Sequence, residues 1–232
     1  MNPRAIVAEF VGTAMLLAAI VGSGITAERL CGGNVGLALL ANAVATGGAL
    51  IALILTFGPI SGAHFNPAVT LVDAWRGGLP WAAATPYIAA QIVGALAGTA
   101  LANILFGLPA LFASHHARAG PALTASEFVA TFGLLCVIWG CARSHANATP
   151  YAVGSYIVGA YWFTPSTSFA NPAVTIARAF TDTFAGIRPA DVPPFVLAQL
   201  LGALAATALF AWFGAADEAQ AAVVTLPHEA TS

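Results

Sequence analysis

The chain has 232 residues, of which 59% are hydrophobic and only 7% are charged, and its net charge is −2. A soluble domain carries about 25% charged residues, so this composition excludes an ordinary water-soluble protein and indicates one that lies in a lipid bilayer. The charge also argues against a nucleic-acid partner, because nucleic-acid binding needs a basic surface.

Six apolar segments approach the length of about 20 residues that a membrane-spanning helix needs. In chain order they are 5–27, 35–57, 81–106, 126–142, 150–163 and 193–213. The sequence therefore predicts an all-α membrane protein with six transmembrane helices.

An Asn-Pro-Ala tripeptide follows the second apolar segment and recurs after the fifth. The two copies are Asn66, Pro67 and Ala68, and Asn171, Pro172 and Ala173. Proline suits the first turn of a helix because its missing N–H would have no partner there, and asparagine before it is a favourable N-cap. The stretch after each copy is too short to cross the bilayer. We therefore expect two re-entrant half-helices, at 66–76 and 171–181.

The two halves of the chain are similar in sequence. Residues 8–13 match residues 126–131, and residues 90–100 match residues 198–208. With three spans in each half, the second repeat must be inverted relative to the first, which places interrupted helices at the membrane midplane. The predicted organisation is a first repeat at 1–107, a connecting loop at 108–125, a second repeat at 126–214 and a polar, partly disordered tail at 215–232.

Two half-helices that meet end to end would direct their positive N-termini and their asparagine amides at a common pathway. Such a pathway offers hydrogen-bond donors to a neutral hydroxylated solute while it repels cations. No nucleophile–base pair and no metal-ligand or cofactor motif accompanies the tripeptides, so the sequence predicts a channel without enzymatic activity, metal or cofactor. A coupled transporter is less favoured, because no span carries a relay of acidic residues or histidines.

Over almost its whole length, excluding the tail, the sequence resembles the aquaporin and aquaglyceroporin family, the major intrinsic proteins. The resemblance is carried by residues 61–70, by the second Asn-Pro-Ala, and by the matched pairs Glu9 with Glu127 and Gln91 with Gln199. It implies six spans with two half-helices, a pore in each protomer, a homotetramer in contact with membrane lipid, and both termini in the cytoplasm. The matching branch is bacterial, which implies the bacterial plasma membrane.

The resemblance also implies roles for three ionisable residues. A carboxylate within a span is costly and is usually paired or functional. In the family, glutamates at the positions of Glu9 and Glu127 support the backbone of the re-entrant loops. His64 is expected to brace the first of these loops.

The second tripeptide departs from the family pattern, in which an arginine follows Asn-Pro-Ala. Val174 stands in place of that arginine. Arg178 lies one helical turn later, at the i,i+4 spacing that would allow an ion pair with Asp182. By spacing from the motifs, the predicted selectivity filter comprises Thr46, Gly159, Ser168 and Val174.

These four side chains predict a wide, uncharged constriction that passes small neutral solutes. The Val-for-Arg pattern is similar to that of bacterial channels found with arsenic-resistance genes, which implies arsenite and methylated arsenicals beside glycerol-like polyols and water. An ordinary water or glycerol channel is the alternative, and an ion-conducting channel is less favoured. A further alternative is that aromatic side chains refill the constriction and restrict the pore to water, and the candidates are Phe65, Trp162, Phe163 and Phe169.

Overall fold

Eight α-helices form the part of the chain that the computed structural model describes, residues 2–224, with the side chains described up to residue 214. Six helices are long: α1 (Pro3–Leu30), α2 (Val35–Ser61), α4 (Trp81–Leu105), α5 (Pro121–Ser144), α6 (Thr149–Phe163) and α8 (Val192–Val224). Two are short: α3 (Pro67–Trp75) and α7 (Pro172–Arg178).

Five of the long helices are long and apolar enough to cross a membrane, with a mean hydropathy between 1.7 and 2.1. The sixth, α6, has 15 residues. At 1.5 Å per residue it is about 22 Å long, which is less than the bilayer core of about 30 Å. The prediction of an all-α membrane protein with long spans and shorter helices is confirmed.

The predicted boundaries differ from the structure at two places in the second half. Helix α5 begins at Pro121 rather than at residue 126, because the proline occupies the first helical turn after Gly120, whose φ is 123°. Helix α8 continues past residue 214 to Val224, so the first part of the predicted polar tail is helical. Residues 225–232 of the tail lie outside the described residues.

The long helices pack in the same way in both repeats. In the first, α1 contacts α2 and α4, and in the second, α5 contacts α6 and α8. Glycine allows the closest of these approaches, since a Cβ added to Gly98 would lie 2.0 Å from the carbonyl oxygen of Ala14. At the equivalent crossing, a Cβ added to Gly202 would lie 2.4 Å from the carbonyl oxygen of Phe128. Small residues thus bring the backbones of the spans together, as is common in membrane bundles.

Each half-helix packs into an apolar cluster of the opposite repeat. Val174 and Ala177 of α7 join a cluster built mainly from α1 and α4, around Leu17. Val69 of α3 joins a second cluster, built mainly from α5, α6 and α8, around Leu135. This exchange places the two half-helices at the centre of the bundle, where they also contact each other.

Candidate functional site: a pore between two half-helices

The two half-helices begin at the same depth and are joined by their asparagines. Asn66 caps α3 through its Oδ1, which accepts a hydrogen bond from the Ala68 amide at 3.0 Å, and its Nδ2 donates to the carbonyl oxygen of Ala170 at 2.9 Å. Asn171 mirrors it, with Nδ2 donating to the carbonyl oxygen of Phe65 at 2.8 Å and Oδ1 accepting from the Ala173 amide at 2.9 Å. Because each amide nitrogen carries two hydrogens, one remains for a solute. Pro67 and Pro172 follow as the first helical residues.

Glu9 holds the first re-entrant loop from within α1. One of its carboxylate oxygens accepts hydrogen bonds from the Ser61 hydroxyl at 2.6 Å and the His64 amide at 3.0 Å. The other accepts from the Phe65 amide and the Gln91 side chain, both at 2.7 Å. Four donors therefore satisfy a carboxylate that is fully buried.

Glu127 does the same for the second loop from within α5. It accepts hydrogen bonds from the amides of Phe169 and Ala170 at 2.9 and 2.8 Å, and from the Gln199 side chain at 2.6 Å. Gln199 also donates to the hydroxyl of Thr175, as Gln91 does to its counterpart in α3. The two supports are thus built alike.

Both loops contain backbone that ordinary residues rarely adopt. Five residues other than glycine have φ between 48° and 64°, and they are Ala63, Phe65, Thr167, Ser168 and Ala170. Such left-handed conformations are costly and persist only where the surroundings impose them. The buried glutamates supply that constraint, since each accepts two amides of its own loop, those of His64 and Phe65 for Glu9 and those of Phe169 and Ala170 for Glu127.

A single cavity of about 270 Å³ runs past the start of both half-helices. Its walls are mostly apolar, with Leu16, Ile20 and Leu50 on one side and Leu134, Val153 and Ile157 on the other. Polar groups interrupt this lining at Asn66 and Asn171 in the middle. Near the two ends, the polar side chains are His64 with Asp73 and Ser168 with Arg178. An apolar wall with a few placed donors is typical of a path for small polar molecules.

Three of the four predicted filter residues line this cavity. Thr46, Ser168 and Val174 are each at most 3% exposed and contribute to its wall. The hydroxyl of Thr46 lies 3.3 Å from the hydroxyl of Tyr161, which also lines the cavity. The Ser168 hydroxyl is buried and has no hydrogen-bond partner among the described residues.

The structure does not bring Gly159 to this wall. Gly159 is exposed on α6, and a Cβ added to it would meet no atom within 4 Å. The cavity-facing residues of α6 are Thr149, Val153, Ile157 and Tyr161, which recur every fourth residue on one face of the helix. Gly159 lies on the opposite face, so its assignment to the filter was wrong, and Tyr161 occupies that part of the wall.

Arg178 also lies elsewhere than its spacing suggested. Helix α7 ends at Arg178, so no helical turn connects it to Asp182, and the i,i+4 pair does not form. Asp182 instead accepts hydrogen bonds from the amide and the ring of His115, at 2.8 and 2.9 Å, which lowers the pKa of the Asp182 carboxyl. Arg178 is buried and lines the cavity, so the wall of the pore is not uncharged.

Aromatic residues fill part of the constriction, but not all of those considered. Phe65 and Phe169 line the cavity together with Tyr161. Trp162 and Phe163 are 51% and 55% exposed and face away from it. The space left by the missing arginine is therefore bordered by aromatic rings as well as by Val174.

His64 and Asp73 form the polar end of the cavity on the side of α3. The His64 ring lies 3.1 Å from the hydroxyl of Thr70 through Nδ1 and 3.5 Å from an Asp73 carboxylate oxygen through Nε2. His64 thus ties the loop before α3 to the helix itself. Asp73 was not singled out from the sequence, although it lies in α3 at the position that Arg178 has in α7.

With this geometry in place, comparison with known proteins decides the family. A family model described as Major intrinsic protein matches residues 1–163. The chain belongs to the major intrinsic protein family. Aquaglyceroporin AqpS of Rhizobium meliloti (strain 1021) is 55% identical over 209 residues, which are 90% of this chain and 89% of that protein.

Two further similarities are more distant. A glycerol uptake facilitator protein of Streptococcus pneumoniae is 34% identical over 170 residues, which are 65% of this chain and 70% of that protein. The X-ray structure of the aquaglyceroporin from Plasmodium falciparum superposes with a TM-score of 0.65, covers 92% of this chain and 95% of its own, and is 23% identical, which shows a shared fold. Major intrinsic proteins are channels, so this chain is a multi-pass membrane channel and not an enzyme.

One residue of this major intrinsic protein was missed because its role depends on contacts between distant segments. The Arg118 guanidinium, in the loop between the repeats, donates to the carbonyl oxygens of Gly186, Ser166 and Phe184 at 2.8, 3.3 and 3.4 Å. Burial lowers the pKa of Arg118. Through these three hydrogen bonds, Arg118 holds the loop between the repeats against the end of the pore where Arg178 lies.

Proposed function

We propose that the chain forms a passive pore in the bacterial plasma membrane for small neutral hydroxylated solutes. The proposed solutes are glycerol-like polyols, arsenite and other metalloid hydroxides, methylated arsenicals and water. The observation that carries the proposal is that Val174, at the position of the usual arginine, lines the cavity with a short apolar side chain. The relative that is 55% identical is named an aquaglyceroporin.

The pore chemistry suits a neutral solute with several hydroxyls. The asparagines Asn66 and Asn171 each have a hydrogen free to donate at mid-pore, and apolar side chains make up most of the remaining wall. A hydroxylated solute can accept hydrogen bonds from the two asparagines on one side of the pore, while its carbon or metalloid centre moves along the apolar wall on the other side. Trivalent arsenite at neutral pH is an uncharged trihydroxide similar in shape to glycerol, so it meets the same requirement.

We propose a homotetramer with its outer faces in lipid, as the family resemblance implies. Many large apolar side chains of the spans are exposed on a single chain, among them Val7, Val44, Val93 and Leu197, which are 55–60% exposed. Apolar side chains on the outside of a span need lipid or a neighbouring protomer as their environment.

A channel restricted to water is the second candidate. The observation that favours it is the ring of Tyr161 beside Thr46, together with the ring of Phe169, in the wall of the cavity that Val174 also lines. If these rings narrow the passage to single-file water, glycerol and arsenite will be excluded even without the arginine.

Flux into liposomes that contain the full-length protein separates the two candidates. Stopped-flow light scattering would compare water, glycerol and arsenite for the native protein, Val174→Arg and Val174→Met. We expect the native protein to pass all three. The arginine variant is expected to keep water while glycerol and arsenite flux fall by about tenfold or more, because the side chain adds bulk and charge at the constriction.

Val174→Met is the matched control, since it adds length without charge. A similar loss in both variants would assign the selectivity to width, and a loss in the arginine variant alone would assign it to the charge. Native liposomes that pass water but neither of the larger solutes would contradict the proposal and favour the water channel.

A further inference from the structure

Asp73 and Arg178 occupy equivalent positions in the two half-helices. Each follows its Asn-Pro-Ala-Val-Thr segment, which is identical in α3 and α7, at the same distance from Asn66 or Asn171. Both side chains line the same cavity. At this position the inverted repeat therefore places a carboxylate in one half and a guanidinium in the other.

The two charges lie at opposite ends of the pore. The half-helices start beside each other, as the hydrogen bonds of Asn66 and Asn171 show, and run in opposite directions as inverted repeats require. At 1.5 Å per residue, the Cα atoms of Asp73 and Arg178 are each about 10 Å from their own asparagine. We call these ends the Asp73 mouth and the Arg178 mouth.

Arg178 is held in place without an acidic partner. Its side chain is 2% exposed, its guanidinium carbon lies 3.4 Å from the centroid of the Phe169 ring, and its Nε donates to the carbonyl oxygen of Ala185. No carboxylate of the described residues lies within ion-pair distance of it, and its Nη1 has no hydrogen-bond partner there. The unpartnered hydroxyl of Ser168 is in the same wall. A buried guanidinium with an unused donor beside a cavity is available to whatever passes.

Asp73 is fixed at the other mouth but stays in contact with water. Its side chain is 23% exposed, and a carboxylate oxygen lies 3.5 Å from the His64 ring. A Cβ added to Gly78 would lie 2.2 Å from the other carboxylate oxygen, so the glycine leaves room for this side chain. The carboxylate is therefore an oriented negative charge at the entrance.

The middle of the pore cannot exclude anions by itself. The N-termini of α3 and α7 and the side-chain amides of Asn66 and Asn171 present partial positive charge there, which opposes cations and favours anions. Arg178 adds to the same sign. Among the described residues that line the cavity, Asp73 is the one with an acidic side chain. Repulsion of anions by the pore wall therefore depends on Asp73.

We infer that Asp73 and Arg178 form a two-sided charge barrier, in which Arg178 repels cations at one mouth and Asp73 repels anions at the other. A neutral solute crosses both mouths without electrostatic cost, whereas an ion of either sign meets one repelling charge. The inference rests on the proposed function as a pore for neutral solutes. It assigns anion exclusion to a residue that is not at the constriction.

Ion leak from liposomes tests each charge separately. The full-length native protein, Asp73→Asn and Arg178→Gln would be compared for chloride, nitrate and potassium efflux, with glycerol flux measured on the same vesicles. We expect Asp73→Asn to raise nitrate or chloride flux at least about fivefold, the factor that one unit charge at close range gives even in bulk water, while potassium stays excluded. Arg178→Gln is expected to raise potassium flux by a smaller factor, because the half-helix N-termini still oppose cations.

Two controls protect the interpretation. Glu28→Gln removes a carboxylate from the exposed end of α1, outside the cavity, and should leave all fluxes unchanged. Arg178→Lys keeps the charge and should keep cations out. If Arg178→Gln does not fold, Arg178→Met takes its place as the uncharged variant. Liposomes of a folded uncharged variant that stay as tight to potassium as native ones contradict the role of Arg178, and Asp73→Asn tests the role of Asp73 independently.

The outcomes that overturn the inference are specific. Asp73→Asn liposomes as tight to anions as native ones would show that ion dehydration alone excludes anions. A variant that leaks anions and cations alike would show a damaged wall rather than a removed charge. Native liposomes that pass no glycerol would contradict the proposed function alone, since the ion leak of the variants is measured independently.

Discussion

The hydroxyls of Thr46 and Tyr161 lie 3.3 Å apart and join α2 of the first repeat to α6 of the second at the wall of the pore. Tyr161 is the larger of the two and is 3% exposed. Its ring, rather than the hydrogen of Gly159, borders the α6 side of the cavity that Val174 also lines.

Truncation of this ring should widen the pore. In Tyr161→Ala the passage gains the volume of the phenol, so we expect glycerol flux to rise several-fold relative to water flux. Stopped-flow light scattering on liposomes gives both rates. Tyr161→Phe retains the ring and should change the ratio little.

Gly159→Leu offers a matched comparison on the same helix. Gly159 is exposed and lies on the opposite face of α6, so a leucine there should leave the flux ratio unchanged. A loss of glycerol flux in this variant would return Gly159 to the filter and contradict the assignment of Tyr161.

Loss of either buried glutamate charge should destabilise the pore. In Glu127→Gln, the amide nitrogen must face donors that the carboxylate accepts, namely the amides of Phe169 and Ala170 and the Gln199 side chain. We expect about 2–4 kcal/mol less stability, as for a buried donor left without its charged acceptor. Thermal unfolding of the purified protein in detergent measures the change. Glu9 accepts a matching set of hydrogen bonds in the first repeat, so Glu9→Gln should lower the stability by a similar amount. Glu28 lies on the exposed end of α1, and Glu28→Gln should leave the stability unchanged.

Two neighbouring glycines of α2 should respond very differently to alanine. A Cβ added to Gly47 would lie 2.8 Å from the carbonyl oxygen of Gly154, where the two repeats meet, and Gly48 has no atom within 4 Å of its added Cβ. Gly47→Ala should cost about 1–3 kcal/mol through overpacking, and Gly48→Ala should be close to neutral. Equal effects in a thermal unfolding assay would mean that α2 and α6 do not approach as the structure shows.

Acidification should loosen the loop between the repeats through His116. Burial, and then the neighbouring Arg118 and Arg178, lower the pKa of His116 from its usual 6.5. Below pH 6.5 a free histidine takes up a proton more readily than His116 in the docked loop, so docking stability is greatest above that pH and falls as the pH drops toward the lowered value. Hydrogen exchange of residues 106–120 should therefore be faster at pH 5.5 than at pH 7.5 after correction for the intrinsic rates. His116→Gln, which cannot titrate, should remove this difference, and a difference that persists would assign it to another group.

Local sequence patterns predicted the helices of this fold but not every side chain that borders the pore. The apolar lengths and the two Asn-Pro-Ala motifs predicted the spans and the half-helices, because span length and the capping of a helix are local properties. The positions of Gly159 and Arg178 depend instead on tertiary packing. The packing of Val153 and Ile157 determines which face of α6 borders the pore. The position of the Arg178 side chain is determined by the end of α7 at this residue and by the contact of its guanidinium with the Phe169 ring. The i,i+4 rule takes account of neither.

The exchange of the half-helices between the apolar clusters constrains the order in which the molecule can be made. Val69 of α3 packs against α5, α6 and α8, which the ribosome synthesises later. Until those spans are inserted, α3 has its contacts with α4 but lacks the rest of the cluster around Leu135, and the first three spans supply only part of the wall of the passage. The membrane is therefore protected from a half-built, leaking pore during synthesis, since the conducting path comes into existence only when both halves of the chain are present.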